Sequence, residues 1–246
     1  MSGHSKWSTI KRKKEATDSK RAGIFTKIGR EIAVAVKEGG PDPASNSKLQ
    51  ACIAKAKANN VPNDNIDRII KKAAGDGDKN NYEEITYEGY GPSGVAVLVE
   101  ALTDNRNRTA GEMRHYFDKC GGNLGQSGSV SFMFEKKGVI VIENTGISED
   151  KIIDDALLDG VIDVEYSDEA ICIYTEPNSH ISVERALTDL GYTFASSQVE
   201  YIPSTYVSLD DETAEKMQKL IDLLEDNDDV QEVYHNWEMP EEEDED

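Results

Sequence analysis

At residues 76–81, read Asp-Gly-Asp-Lys-Asn-Asn, the spacing of apolar side chains changes from helical to strand-like, and this break divides the chain into parts with different folding options. Ahead of it apolar residues recur at i, i+3, i+4 and i+7, the signature of amphipathic helices. Ile24, Ile28, Ile32 and Ala35 form one stripe, which Gly39-Gly40-Pro41 ends. Leu49, Cys52, Ile53 and Ala56 form a second, with Asp42-Pro43 as its predicted start and Asn59-Asn60 as its stop. Ile66, Ile69, Ile70 and Ala73 form a third, opened by Pro62 and closed by Gly75.

Beyond the break short strands alternate with helices. Ile85–Tyr90 and Val95–Leu102 flank Gly91-Pro92-Ser93-Gly94, a hairpin signal, and a helix follows with Thr109 and Glu112 as its predicted capping box. Strand, helix and strand then recur twice: 138–142, 148–158 and 161–166, then 170–174, 182–190 and 192–201. Two such halves in series make a split βαβ sandwich of the ferredoxin-like type. A last helix, 210–224, and strand, 230–234, have no adjacent half, and the hairpin and helix at 82–122 supply it. The prediction is therefore α+β, an N-terminal three-helix domain followed by two ferredoxin-like α/β domains, the third inserted into the second. The boundaries are 1–78, 79–129 with 203–238, 130–202, and an acidic tail at 239–246.

Charge is divided in the same place. Residues 1–75 hold 16 Lys or Arg against 7 Asp or Glu, a net of +9, whereas 76–246 hold 11 against 41, a net of −30. An asymmetry of this sign points to a nucleic-acid-binding segment on a body that repels phosphate. Lys6, Lys11, Arg12, Lys13, Lys14, Lys20, Arg21, Lys27 and Arg30 are the candidate phosphate contacts. Lys48, Lys55, Arg68, Lys71 and Lys72 fall off the apolar stripes and extend that positive face. The first 17 residues have little periodicity and read as a flexible arm that orders on a partner. Trp7 within it either stacks on an unpaired base or packs on the arm's own helix.

Chemistry is otherwise sparse. His4, His115, His180 and His235 are isolated, so no metal is expected, and no nucleophile and base can be paired, so neither an enzyme, a cofactor nor a small-molecule substrate is expected. Cys52, Cys120 and Cys172 fall within apolar patterns and read as buried hydrophobes. The run Gly121–Ser129 lacks the Gly-Lys-Ser/Thr ending of a phosphate loop and reads as a flexible connector. Arg106 and Arg108 stand at a helix start, against the dipole, which points either to a phosphate or carboxylate partner or to pairing with Asp104 or Glu112. No apolar run is long enough for a bilayer span, and no secretory or myristoylation signal is present, so a cytoplasmic protein that does not touch membranes is expected; separately, a monomer is expected.

Gly3-His-Ser-Lys-Trp, Phe25-Thr-Lys, Arg30-Glu-Ile, Asn65-Ile with Arg68, Tyr87-Glu-Gly-Tyr-Gly-Pro, Leu102-Thr-Asp-Asn-Arg-Asn-Arg-Thr, Gly121-Gly-Asn-Leu-Gly and Gly128-Ser-Val together resemble the YebC family, over a span from the N-terminus to about Trp237. The family pattern allows a Lys near 23 and a Gly at 93, where this chain has Gly23 and Ser93. The resemblance implies a three-domain protein with a non-enzymatic role in gene expression, described for family members either as DNA-binding transcriptional regulation or as ribosome-associated help for difficult nascent sequences. Carried over, His4, Lys6, Trp7 and the basic residues of the first helix are the implied nucleic-acid contacts. Duplex readout usually uses a recognition element in the major groove and often a two-fold dimer, and neither is visible, whereas a cationic arm on an acidic body suits structured ribosomal RNA; a protein-interaction scaffold built on the two ferredoxin-like units is the remaining alternative. The run Glu241–Asp246 is expected to be disordered, and either solubilises the chain or folds back on the arm.

Overall fold

Residues 6–11, 18–75 and 81–239 are described by a computed structural model, with 18–22 as backbone only. A short helix α1 (residues 6–11) precedes α2 (Asp18–Gly39), α3 (Ser47–Ala58) and α4 (Asn63–Ala74). The three predicted stripes form one core, in which Ile28, Ile32, Ala35 and Val36 meet Leu49, Cys52, Ala56, Ile66 and Ala73.

Among the three N-terminal helices, one start differs from expectation. α3 is capped by Asn46, not Asp42: its side chain accepts from Leu49 N at 3.0 Å while donating to Ala35 O at 2.7 Å and Gly40 O at 2.8 Å. Asp42 instead organises the turn before it, accepting from Ala44 N at 3.0 Å. A side chain that caps one helix and holds the preceding one outcompetes a purely local cap.

Two four-stranded antiparallel sheets follow. β1 (Glu83–Tyr90), β2 (Ala96–Thr103), α5 (Arg106–Lys119), β3 (Asn123–Leu124), α8 (Asp211–Glu225) and β8 (Val230–His235) form the first, in the order β3-β1-β2-β8. β2 is central and almost wholly buried, with β8 returning from the far end of the chain to pair with it. β4 (Phe134–Glu143), α6 (Glu149–Asp155), β5 (Val161–Tyr166), β6 (Ala170–Thr175), α7 (His180–Asp189) and β7 (Ser196–Pro203) form the second, in the ferredoxin-like order β5-β6-β4-β7, inserted between β3 and α8.

The chain divides into two compact units. Of the described residues, one unit contains 18–75, 81–131 and 209–235, so the three helices and the discontinuous sheet belong together; the other contains 6–11, 132–208 and 236–239. Residues 6–11 thus group with the inserted sheet rather than with the basic helices that follow them. The ferredoxin-like sheet carries α6 and α7 on one face, over Ile140, Ile142, Ile171 and Ile173. Its other face, Val139, Val141, Cys172 and Tyr174, is covered by Trp7 and Ile10 of α1. All three cysteines are buried, as their apolar setting predicts.

Candidate nucleic-acid interface

The predicted cations separate into three groups once their partners are known. His4, Arg12, Lys13 and Lys14 lie outside the described residues, and Lys20 and Arg21 lie in α2 where only backbone is described. Lys6, Lys27 and Arg30 have internal partners. Lys6 forms an ion pair with Glu200, whose side chain is 4% exposed, so this charge pair is largely removed from water. Lys27 donates to the carbonyl of Glu225 at the end of α8, where the helix dipole favours a cation. Arg30 donates to Leu102 O at 3.2 Å, pairs with Asp229, and lies over the Tyr82 ring at 5.5 Å. Both fasten α2 to the discontinuous sheet unit.

Trp7 packs, and its partner is the inserted sheet rather than the arm's own helix. The indole is 8% exposed against Val139, Val141, Cys172 and Tyr174, so in this arrangement its faces are not open to a base. Indole burial removes a large apolar area from water, which explains why residues 6–11 are helical and seated instead of extended. Lys11 lies 5.9 Å from the Trp7 ring and 3.3 Å from Glu169, with its side chain partly exposed.

The cations presented outward are elsewhere in the helices. Lys57 at the end of α3, and Arg68, Lys71 and Lys72 along α4, are exposed. Lys57, Lys71 and Lys72 make no ion pair among the described residues, and Arg68 only donates to Asn65 Oδ1 at 2.7 Å. Lys48 and Lys55 are instead engaged: Lys48 bridges Glu38 and Glu84 at 2.9 and 3.2 Å, and Lys55 pairs with Glu31 at 2.7 Å. Lys57 went unremarked in the sequence, although its position off the Leu49–Cys52–Ala56 stripe was a visible signal.

Arg106 and Arg108 part company. Arg106 is exposed and makes no ion pair among the described residues, whereas Arg108 Nη2 lies 3.0 Å from Asp104 Oδ1 and 2.7 Å from Asp229 Oδ2. The α5 start is capped by Asn105, which accepts from Arg108 N at 3.1 Å. Thr109, expected as a cap, is buried and places its hydroxyl 2.6 Å from Asp229 Oδ2, with Thr103 Oγ1 at 3.0 Å from the same oxygen. Burial alone would raise the Asp229 pKa, but Arg108, Thr109, Arg30 and Thr103 outweigh it and bring it down to about 2. The Leu102–Thr109 motif therefore builds an anionic hub inside the fold, leaving Arg106 as its outward cation.

The glycine-rich run after α5 is held in place. Glu88 accepts from Gly128 N, Val130 N and Ser131 N at 2.7, 2.8 and 2.8 Å. A buried carboxylate collecting three backbone donors fixes this connector, so it is an ordered support for β1 and not a loose loop. Among the described residues no cluster of His, Cys, Asp or Glu is arranged to hold a metal, and no helix is long and apolar enough to cross a membrane.

Known proteins share this arrangement. The family described as the TACO1/YebC protein N-terminal domain matches residues 5–76, and that described as the TACO1/YebC second and third domain matches 82–237. A protein of Finegoldia magna named as a probable transcriptional regulatory protein is 57% identical, over 96% of this chain and 99% of its own. One of Acetivibrio thermocellus with the same name is 59% identical over the same shares. The crystal structure of a conserved hypothetical protein from Aquifex aeolicus superimposes with a TM-score of 0.80 at 46% identity, covering 92% of this chain and 93% of that one.

Proposed function

The chain belongs to the TACO1/YebC family, and from that premise we propose that it is a non-enzymatic, nucleic-acid-binding regulator of gene expression, acting as a ribosome-associated translation factor that contacts ribosomal RNA through its basic N-terminal helices. The observation that carries this reading is the segregation of charge, +9 before residue 76 and −30 after it. It is joined by the outward placement of Lys57, Arg68, Lys71 and Lys72 on α3 and α4. Phosphate contacts of this kind carry affinity without base readout, as structured RNA requires. The second reading, promoter DNA, is favoured by the name that the relatives carry, probable transcriptional regulatory protein. The protein acts as a monomer in the cytoplasm and uses neither cofactor nor small-molecule substrate.

The test is crosslinking of the tagged protein in cells, followed by sequencing of attached RNA and DNA. Two variants accompany the wild type, one with Lys11 to Lys14 changed to alanine and one with Lys57, Arg68, Lys71 and Lys72 changed to alanine. Ribosomal RNA enriched near the peptidyl-transfer region and lost in the second variant supports the proposal and assigns the contact to the helices. Loss only in the first variant moves the contact to the N-terminal segment. Discrete promoter DNA in place of ribosomal RNA overturns the translational reading. In vitro, the salt slope of log K for single-stranded RNA should become shallower by about 0.7 for each phosphate contact removed.

A further inference from the structure

The exposed large apolar side chains of the described residues, Phe132, Ile153, Leu157, Ile162, Ile181 and Leu190, all belong to the unit containing the inserted sheet. Four of them converge at one end of it. Val161 at the start of β5 pairs with Thr175 at the end of β6, and Glu176 N donates to Gly160 O at 2.8 Å. A methyl group placed on Gly160 would lie 2.2 Å from Ser179 Cβ. These contacts bring the segment after α6 against the segment before α7, so Leu157, Ile162 and Ile181 are each within three residues of the same junction. Ile153 lies in the last turn of α6, four residues before Leu157 in the segment that follows it.

None of these side chains serves the core. On α6 and its C-cap the inward positions are Ile152 and Ala156, and on α7 they are Val183 and Leu187. Leu157 and Ile181 are 77% and 78% exposed, close to the limit for a side chain with no tertiary packing. Single exposed apolar residues need no explanation, but a group gathered at one edge marks an interaction surface.

The charge around the group says what covers it. Residues 149–189 hold 12 Asp or Glu and two cations, Lys151 and Arg185. Asp154, Asp159 and Glu176 lie within two residues of Ile153, of Leu157 or of the Gly160–Glu176 junction, are exposed, and make no ion pair among the described residues. Nucleic acid is repelled there. The run Glu241–Asp246 of the same chain is excluded on the same ground, and a second copy would set acid against acid across a two-fold contact. A cationic segment bearing apolar side chains meets both requirements.

We propose that the α6–β5 and β6–α7 end of the inserted domain, centred on Leu157 and Ile181 and flanked by Asp154, Asp159 and Glu176, docks a basic amphipathic segment of a partner protein. The surface belongs to the unit that does not contain α3 and α4, and its existence does not depend on which nucleic acid those helices contact.

The test uses the full chain and three labelled synthetic peptides of 18 residues: one of Leu and Lys at helical amphipathic spacing, one with Leu changed to Ser, and one with Lys changed to Glu. Fluorescence anisotropy measures affinity, and hydrogen exchange with mass spectrometry locates the contact. The Leu/Lys peptide is expected to bind at least tenfold more tightly than either control and to protect residues 153–163 and 176–182. Leu157→Ser with Ile181→Ser, both at exposed positions and checked by thermal melting, is expected to lose at least tenfold. Equal binding by the Ser/Lys peptide would reduce the interaction to bulk charge and overturn the proposal. Absence of binding, protection confined to other segments, or unchanged affinity in the double variant would do the same. Sedimentation of the unliganded chain showing a dimer that the double variant lacks would assign the surface to a second copy and overturn the heterologous partner.

Discussion

Arg108 Nη2 stands 2.7 Å from Asp229 Oδ2, an ion pair spanning 121 positions of chain that joins the start of α5 to the turn before β8. Asp229 also receives Arg30 from α2, so one carboxylate links the basic helices, the hairpin-helix segment and the returning strand. Leu102 N adds a backbone bond to Asp229 O at 2.7 Å. The discontinuous domain is thus closed around a charge whose partners come from every segment that must assemble.

That hub makes stability depend on acid pH. The Asp229 pKa is held below the ordinary carboxylate value, so its contribution is fully present above about pH 5 and is lost as pH falls toward 2. A depression from about 3.9 to about 2 corresponds to roughly 2–3 kcal/mol. Asp229→Asn should lower unfolding free energy by at least that amount at pH 7, because Arg30 and Arg108 lose their shared anion. Denaturant titrations from pH 2 to pH 7 check this: the gap between wild type and variant should close as pH falls, and a constant gap would contradict it.

Trp7 should matter to one unit and not the other. Trp7→Ala removes the cover from Val139, Val141, Cys172 and Tyr174, with an expected loss of about 3 kcal/mol for a buried indole. Hydrogen exchange should accelerate in β4 and β6, while α2, α3 and α4 keep wild-type protection. In a Trp237→Phe background the remaining Trp7 emission should be blue-shifted, as for an indole out of water.

The helical stripes were legible because helix packing enforces a short-range period that local sequence must display. Ile28, Ile32, Leu49, Cys52 and Ile66 lie in the core as their spacing implies. The caps were less legible, since Asn46 wins its place through Ala35 and Gly40, and Thr109 is drawn inward by Asp229. Asp229 itself sits in the run Asp226-Asn-Asp-Asp, where nothing local distinguishes a buried hub from a solvated acid. The same holds for the cations: charge excess was visible in composition, but that Lys6, Lys27 and Arg30 face inward depends on Glu200, Glu225 and Asp229, each more than 190 positions further along the chain.

Two glycines should respond to alanine with opposite signs. Gly111 lies within α5 with open space around its would-be methyl group, so Gly111→Ala should stabilise by about 1 kcal/mol through helix propensity. Gly138 pairs with Thr175 on one side and Val199 on the other, and a methyl group there would lie 2.2 Å from Thr175 Oγ1 and 2.6 Å from His180 Nδ1. Gly138→Ala should therefore cost about 2–3 kcal/mol. Thermal melts of the two variants beside wild type decide the order.

The buried thiols should be inert. Burial pushes Cys172 up to about 12 and Cys52 up to about 11, and raises Cys120 as well, so little thiolate exists at pH 8. In the native chain a disulfide reagent should label none of the three within minutes, and all three in denaturant. Rapid labelling of Cys172 alone would show that α1 and its Trp7 leave the sheet readily.

The turn between β1 and β2 contains a correctable strain. Ser93 has φ 54° and ψ 24°, and Gly94 follows at φ 79°, so two successive residues occupy the left-handed region that tight hairpins require. Glycine bears this without penalty, while a Cβ at the first position costs roughly 1 kcal/mol. Ser93→Gly should raise the melting temperature, with part of the gain offset by the greater freedom of glycine in the unfolded chain. Gly94→Ser should lower it, because the strain would then fall on both positions. The hairpin feeds β2, the buried central strand, so both shifts should appear in the global transition and not as local fraying. A lower melting temperature for Ser93→Gly would mean that the serine side chain contributes more to the turn than its backbone strain removes.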